Sequence, residues 1–236
     1  QAVSFEQRYT TDAWQSFAKL RRTIGNVELV SITAYSVVDA KQILDIDAAP
    51  ANFFGAAVAQ KEKTFTQEIQ LLGADEAPLR WIIGAYYMHD VATYDATLSG
   101  SAFGTSVGGG FGRQKTRSLA GFAQATTPIL TDTNMTIGLR YTSDRRSVLG
   151  SASLALASGA VVPFGPFRDS RSFANVTGRF SIDHQIAPDM MIYAAYNRGF
   201  KSGVYPISGF APGASAAPPA VEPEELDALS AGWKSE

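Results

Sequence analysis

The chain has 236 residues, of which 45% are apolar, 11% aromatic and 18% charged, and its 20 basic and 22 acidic side chains leave a net charge of −2. That balance excludes the basic stripe of a nucleic-acid binder, and ample hydrophobicity at low net charge excludes a disordered chain. With no cysteine there are no disulfides, thiol nucleophiles or thiolate metal sites, and two histidines, His89 and His184, are too few for a multi-histidine metal centre.

The longest apolar run, about 81–88, is far short of the roughly 20 residues that a spanning helix needs. No basic-then-apolar leader opens the chain. Period-two alternation dominates instead. In chain order it predicts nine strands, at roughly 14–24, 27–39, 63–72, 80–93, 115–128, 134–146, 171–185, 190–201 and 225–234. In the third, Phe65, Ile69 and Leu71 share a face with Gln67, opposite Thr64, Thr66, Glu68 and Gln70. In the sixth, Ile137, Leu139 and Tyr141 oppose Thr136, Gly138, Arg140 and Thr142. In the seventh, Val176, Phe180 and Ile182 oppose Asn175, Thr177, Arg179, Ser181 and Asp183. Most of these strands run about 10–14 residues, well beyond the roughly 5–6 of an ordinary strand. They match the roughly 9–11 of a tilted strand crossing a bilayer.

The connections alternate strictly. Gly25-Asn26 is a tight turn, and the links at about 73–79, 130–133 and 187–189 are short. Those at about 40–62, 94–114, 147–170 and 202–224 are long; the second is rich in Gly and Ser, and the last two carry prolines. In an up-and-down meander one end then carries tight turns and the other long loops, the asymmetry of outer-membrane barrels. Trp14, Trp81, Tyr86, Tyr87, Tyr141, Tyr193, Tyr196 and Trp233 lie toward strand ends, as aromatic girdles do, although aromatics favour any strand. The predicted fold class is all-β: an antiparallel up-and-down meander of long strands, part of a transmembrane β-barrel. The alternative is a soluble β-sandwich or lectin-like binding module, which calls for turn signals about every 8–12 residues.

Several segments resemble strand motifs of the TonB-dependent outer-membrane receptors. Lys63 to Leu71 is similar to T-x-E-x-R-L, Arg80 to Tyr87 to W-x-x-G-x-Y-Y, and Ser118 to Ala125 to A-x-F-G-Q-A-x-Y. Thr136 to Thr142 resembles L-x-x-G-L-R-Y-T, and Met191 to Gly203 resembles V-Y-A-S-Y-S-R-G-F-K-S-G-G. Glu222 to Asp227, leading to Gly232-Trp233-Lys234-Ser235-Glu236, resembles P-E-x-x-x-x-Y-E-x-G-x-K-S-E. These matches run in family order from about residue 63 onward; residues 14–39 match in pattern only. The family barrel has about 22 strands around a plugged lumen. The resemblance therefore implies a central part of such a barrel over residues 1–236, without the family's plug domain and TonB box.

It also implies residence in the outer membrane of a Gram-negative bacterium, in contact with outer-membrane lipid. The implied activity is import of a scarce small-molecule or metal-chelate ligand: a ferric siderophore, cobalamin, a saccharide or an aromatic compound. The implied energy source is the TonB complex, acting through the plug. No nucleic-acid partner, cofactor, metal site or catalytic residue is expected.

Chemistry elsewhere in the chain is sparse. Ser16-Phe17-Ala18-Lys19 fits S-x-x-K, but on a strand and without partner motifs. Gly108-Gly109-Gly110-Phe111-Gly112 has no strand-to-helix context for phosphate and is expected to be loop. An outer-membrane lipase would need a Ser/His pair at one rim, which no motif supports. Ligand contacts are expected at His89, at a strand end near a long loop. The same is expected of loop aromatics Phe53, Phe54, Phe103, Phe111, Phe164, Phe167, Tyr205 and Phe210, since loops on rigid scaffolds carry binding. Glu68, Arg140, Arg179 and Asp183 fall on polar strand faces and are expected to face the lumen. On the lipid side an Arg near the midplane costs about 2–4 kcal/mol.

Overall fold

A single antiparallel sheet holds nine strands in chain order: β1 (Arg8–Ile24), β2 (Val27–Asp45), β3 (Gly55–Gly73), β4 (Arg80–Ser99), β5 (Val107–Leu130), β6 (Thr133–Ala155), β7 (Val161–Ala187), β8 (Met190–Lys201) and β9 (Glu224–Ser235). The computed structural model describes residues 6–47, 50–51, 53–74, 77–100, 107–156 and 158–235. Each strand pairs with its chain neighbours, so the connections alternate between the two ends of the sheet. Gly25 closes the first tight turn at φ 59°, a conformation without steric cost for glycine. Asp132 closes the third at φ 57°, which a short polar side chain tolerates.

At the tight-turn end the strands stop close to where alternation predicts. At the other end most run further. β2 continues to Asp45 rather than 39, β3 begins at Gly55 rather than 63, and β4 reaches Ser99 rather than 93. β5 begins at Val107 rather than 115, β6 reaches Ala155 rather than 146, and β7 begins at Val161 rather than 171. Three of the four predicted long loops are therefore mostly strand. Their Ala, Gly and Ser residues carry little alternation, yet the neighbouring strand still completes each hydrogen-bond ladder. Pro163 and Pro166 fit because β7 pairs with β8 only over Gly178–Ala187, leaving its upper half an open edge.

Polarity is inverted relative to a soluble fold. On β6 the odd positions Ile137, Leu139 and Tyr141 are exposed, while the even positions Thr136, Thr142 and Asp144 are buried. On β5 the buried even positions include Gln114, Thr116 and Ser118, whereas Leu119 is exposed. Leu139 is 61% exposed, Trp233 72% and Leu229 85%, against 1% for Thr116 and 6% for Thr142. A sheet curved with its polar face inward and an apolar face outward is the arrangement of a barrel wall in lipid. Among the described residues no helix is long and apolar enough to cross a membrane.

The apolar core sits at the long-connection end. Ala56, Val58 and Ala96 pack with Leu44, Tyr94 and Leu98. A second cluster comes from the β8–β9 connection, which folds back across the inner face of β5 and β6. Val148, Tyr205 and Phe210 are buried there, with Phe167, Ile207, Ala217 and Ala220 against them. A Val204–Val221 bridge closes the connection on itself, and Ile207–Gly209 forms a 3-10 turn. The glycine run expected to be loop is strand β5, and its glycines make the trough for this connection. A Cβ at Gly112 would stand 2.0 Å from the Ile207 carbonyl oxygen, and one at Gly110 2.1 Å from that of Phe210. Glycine inside a strand marks such a close backbone approach.

Candidate functional site

Cross-strand partners point to the same face, so the register assembles the inner wall row by row. Glu68, Tyr86, Ala120 and Thr142 form one row across β3 to β6. Arg140 lies one step toward the tight turns. Its guanidinium sits 5.2 Å from the Tyr86 ring centroid and 5.6 Å from that of Phe122. Its Nε donates to Thr142 Oγ1 at 3.1 Å. The two rings and the hydroxyl hold this cation flat against the wall. Glu68 accepts a hydrogen bond from Gln70 Nε2.

Toward the long connections the wall becomes more charged. Thr64, Asp90, Thr116 and Arg146 share a row. Thr64 Oγ1 donates to Asp90 Oδ1 at 2.8 Å, and Arg146 Nη1 donates to Thr116 Oγ1 at 3.4 Å. Asp144 Oδ1 and Arg146 Nε are shielded from solvent and have no hydrogen-bond partner among the described residues. In the next row Gln114 Oε1 accepts from the Tyr205 backbone N–H at 2.9 Å. Glu62 shares that row, beyond the apolar belt; burial, then Asp90, pushes its carboxyl above the usual range. Burial, then Asp169, pushes the Tyr205 phenol up to about 12. The hydrogen bond and charge of Glu222 push Arg171 upward.

At the tight-turn end Arg179, Asp183, Tyr193 and Lys234 line an inward groove of about 430 Å³. Asn134 Nδ2 donates to Asp183 Oδ2 at 2.9 Å, and Lys234 Nζ lies 5.9 Å from the Tyr193 ring centroid. Glu68, Arg140, Arg179 and Asp183 thus share the concave face, at different heights and without mutual contact.

The residues expected at a ligand rim separate. Phe53 is exposed and Phe54 half-buried in the β2–β3 connection, where the Phe54 N–H donates to Asp47. Phe103 lies outside the described residues. Phe111 is on β5 rather than a loop, on the outward face opposite Asp95 and Ser151. Phe164 and Phe167 are on β7 rather than a loop. Phe167 points inward and stacks on Phe210, with centroids 6.2 Å apart and planes 8° from parallel. Tyr205 and Phe210 do lie in a connection, but at 2% and 3% exposure they anchor it rather than form an open rim. His89 is not at a strand end, because β4 runs on to Ser99; it sits mid-strand on the outward face between Phe65 and Arg117. Tyr86 and Tyr193, expected in girdles, point inward.

Asp90, Thr116, Asp144 and Arg146 escaped the sequence reading. The parity that assigns Arg140 and Glu68 to one face also assigns these four, and the register sets them side by side. The wall offers paired charges, amides and hydroxyls to a polar solute or a polar protein surface. Among the described residues no group of three or more His, Asp or Glu is placed to hold a metal ion.

The family model described as TonB dependent receptor-like, beta-barrel matches residues 2–235. The ferric yersiniabactin uptake receptor FyuA from Yersinia pestis is similar in structure. Its TM-score is 0.78 at 17% identity, over 98% of this chain and 34% of that one. The siderophore receptor PiuA from Acinetobacter baumannii gives a TM-score of 0.68 at 13% identity, over 95% of this chain and 38% of that one. The chain thus spans little more than a third of the length of these structures. No curated protein matches it closely enough to count as a relative.

Proposed function

This chain belongs to the TonB-dependent receptor-like β-barrel family, and from that premise we propose that it forms part of the wall of an outer-membrane uptake receptor in a Gram-negative bacterium. The cargo class we propose is a ferric siderophore, the ligand class named for both structural neighbours. The chain's role is to supply lumen wall and external strands rather than bond-breaking chemistry. The energy enters through the TonB complex acting on a plug domain that the wall encloses.

One observation carries this reading: large apolar side chains are exposed on the convex face while threonine, serine, glutamine and aspartate are shielded on the concave one. In water that distribution leaves the hydrophobic effect unsatisfied; in a bilayer it is the stable one. Glu68, Arg140, Arg179 and Asp183 are proposed to contact the lumen water or the plug. The exposed Phe53 is the proposed rim contact for ligand.

The test is uptake of radio-iron from a panel of ferric siderophores by cells with and without the gene. The reading expects one siderophore whose uptake is lost on deletion and equally in a strain lacking TonB. Unchanged uptake of every siderophore would overturn the cargo class, and uptake that survives in the strain lacking TonB would overturn the energy source.

A further inference from the structure

The outward faces of β5, β6 and β7 carry Arg113, Lys115, Arg117, Arg145 and Arg168, and among the described residues no carboxylate. None of the five is in an ion pair. By contrast Lys61, on the neighbouring outward surface, meets Asp39 at 3.0 Å. Arg117 and Arg145 are direct cross-strand partners. Like charges directly opposite are destabilising, so the pair calls for an anion.

Just above it Arg113, Lys115 and Arg168 surround a groove of about 560 Å³, together with Ser147, Leu149 and Ser170. Val148 and Asp169 also border it, through their backbones, because their side chains belong to the inner face by register. Arg113 Nε is shielded from solvent and has no hydrogen-bond partner among the described residues.

The height of this patch identifies its occupant. Below it on the same face lie Leu119, Ile137, Leu139 and Tyr141, all exposed. Arg145 is ten residues beyond Met135, where the apolar stretch of β6 begins. Ten residues are about 33 Å along a strand. At a tilt of about 40° that is about 25 Å along the membrane normal, the height of a barrel's apolar band. The cations thus begin where the band ends, on the side of the long connections. Resting on the membrane reading above, we infer that this groove binds the phosphorylated headgroup of an outer-leaflet lipid. Arg113, Lys115 and Arg168 clasp the phosphate, the serine hydroxyls donate to it, and the acyl chains lie down the apolar face below. Guanidinium forks suit phosphate geometry, and charge-assisted bonds are the stronger kind. The apolar surface of Leu119, Leu139 and Tyr141 that begins below the Arg117–Arg145 pair favours a lipid over a free anion.

The experiment uses the whole receptor that contains this chain, purified in detergent and followed by native mass spectrometry. The probes are lipid A, enzymatically dephosphorylated lipid A and inorganic phosphate. Lipid A is expected to bind, and the triple variant Arg113→Gln/Lys115→Gln/Arg168→Gln to bind it at least about tenfold more weakly. Lys115→Gln alone, at an exposed position that does not threaten folding, is expected to weaken it severalfold. Arg80→Gln, at the opposite end of β4, leaves binding unchanged. Dephosphorylated lipid A is expected not to bind, and inorganic phosphate to compete only weakly. Equal binding of the dephosphorylated lipid, unchanged binding by both variants, or phosphate held as tightly as lipid A would overturn the inference. Fractionation separates the two readings. A receptor in the outer membrane without phosphate-selective lipid binding loses only this site, and a receptor in the soluble fraction loses the site and the membrane reading together.

Discussion

Gly112→Val is expected to lift the β8–β9 connection off the inner wall. The clash is with backbone: the new Cβ would stand 2.0 Å from the Ile207 carbonyl oxygen, so no side-chain rotation relieves it. Lifting the connection exposes Tyr205 and Phe210, now 2% and 3% accessible, and breaks the bond from the Tyr205 N–H to Gln114. Burying a large apolar side chain is worth about 1.5–3 kcal/mol, so the two rings together contribute about 3–6 kcal/mol. At about 1.4 kcal/mol per tenfold, the docked-to-open ratio falls by about two to four decades. The assay is hydrogen exchange across 202–223, above all at the Val204 and Val221 amides that close the connection. Gly121→Val is the control, since its Cβ meets nothing within 4 Å. Unchanged protection in Gly112→Val, with the barrel folded, or equal loss in Gly121→Val, would refute the reasoning.

Two further outcomes follow from the same geometry. The Tyr205 phenol is raised from its ordinary value near 10 to about 12, so the folded state holds this proton more tightly than the open one. The docking stability it reports is complete below pH 10 and is lost as pH rises toward 12; protection of the connection, taken relative to the base-catalysed intrinsic exchange rate, should fall across that window in wild type and not in Tyr205→Phe. Leu139→Arg, on the exposed apolar face, should cost about 2–4 kcal/mol when the protein unfolds from bilayers in denaturant, whereas Arg179→Leu, on the inner face, should shift the midpoint little.

The alternation of Ile137, Leu139 and Tyr141 against Thr136, Arg140 and Thr142 is enough to draw β6 and its two faces, because lipid on one side and water on the other impose period two. Beyond Ser143 both faces lie outside the apolar belt and the pattern fades. That is why β6 was drawn short by nine residues, at 146 rather than Ala155. The same loss put Phe111, Phe164 and Phe167 on loops and His89 at a strand end. Polar strand faces were legible residue by residue at Glu68, Arg140, Arg179 and Asp183. Their neighbours Asp144 and Arg146 needed the register. The docking of Tyr205 and Phe210 into a glycine trough was not legible, since a glycine-rich run reads equally as loop until the segment that fills it is placed. Of the outward cations on β5 to β7, Lys115, Arg117 and Arg145 fall inside the strands that alternation predicts, whereas Arg113 and Arg168 fall beyond them, and only the register joins the five into one patch.

The measurement that bears most directly on the account is which face of β6 meets lipid. The 236 residues contain no cysteine, so within them each introduced thiol is unique, and any cysteine elsewhere in the receptor is replaced by serine. Spin labels at Leu139→Cys, Arg140→Cys, Tyr141→Cys and Thr142→Cys, in receptor reconstituted into bilayers, would be tested against oxygen and a water-soluble nickel chelate. The account predicts oxygen access at 139 and 141 and chelate access at 140 and 142. Chelate access at 139 and 141, or no alternation at all, would contradict it.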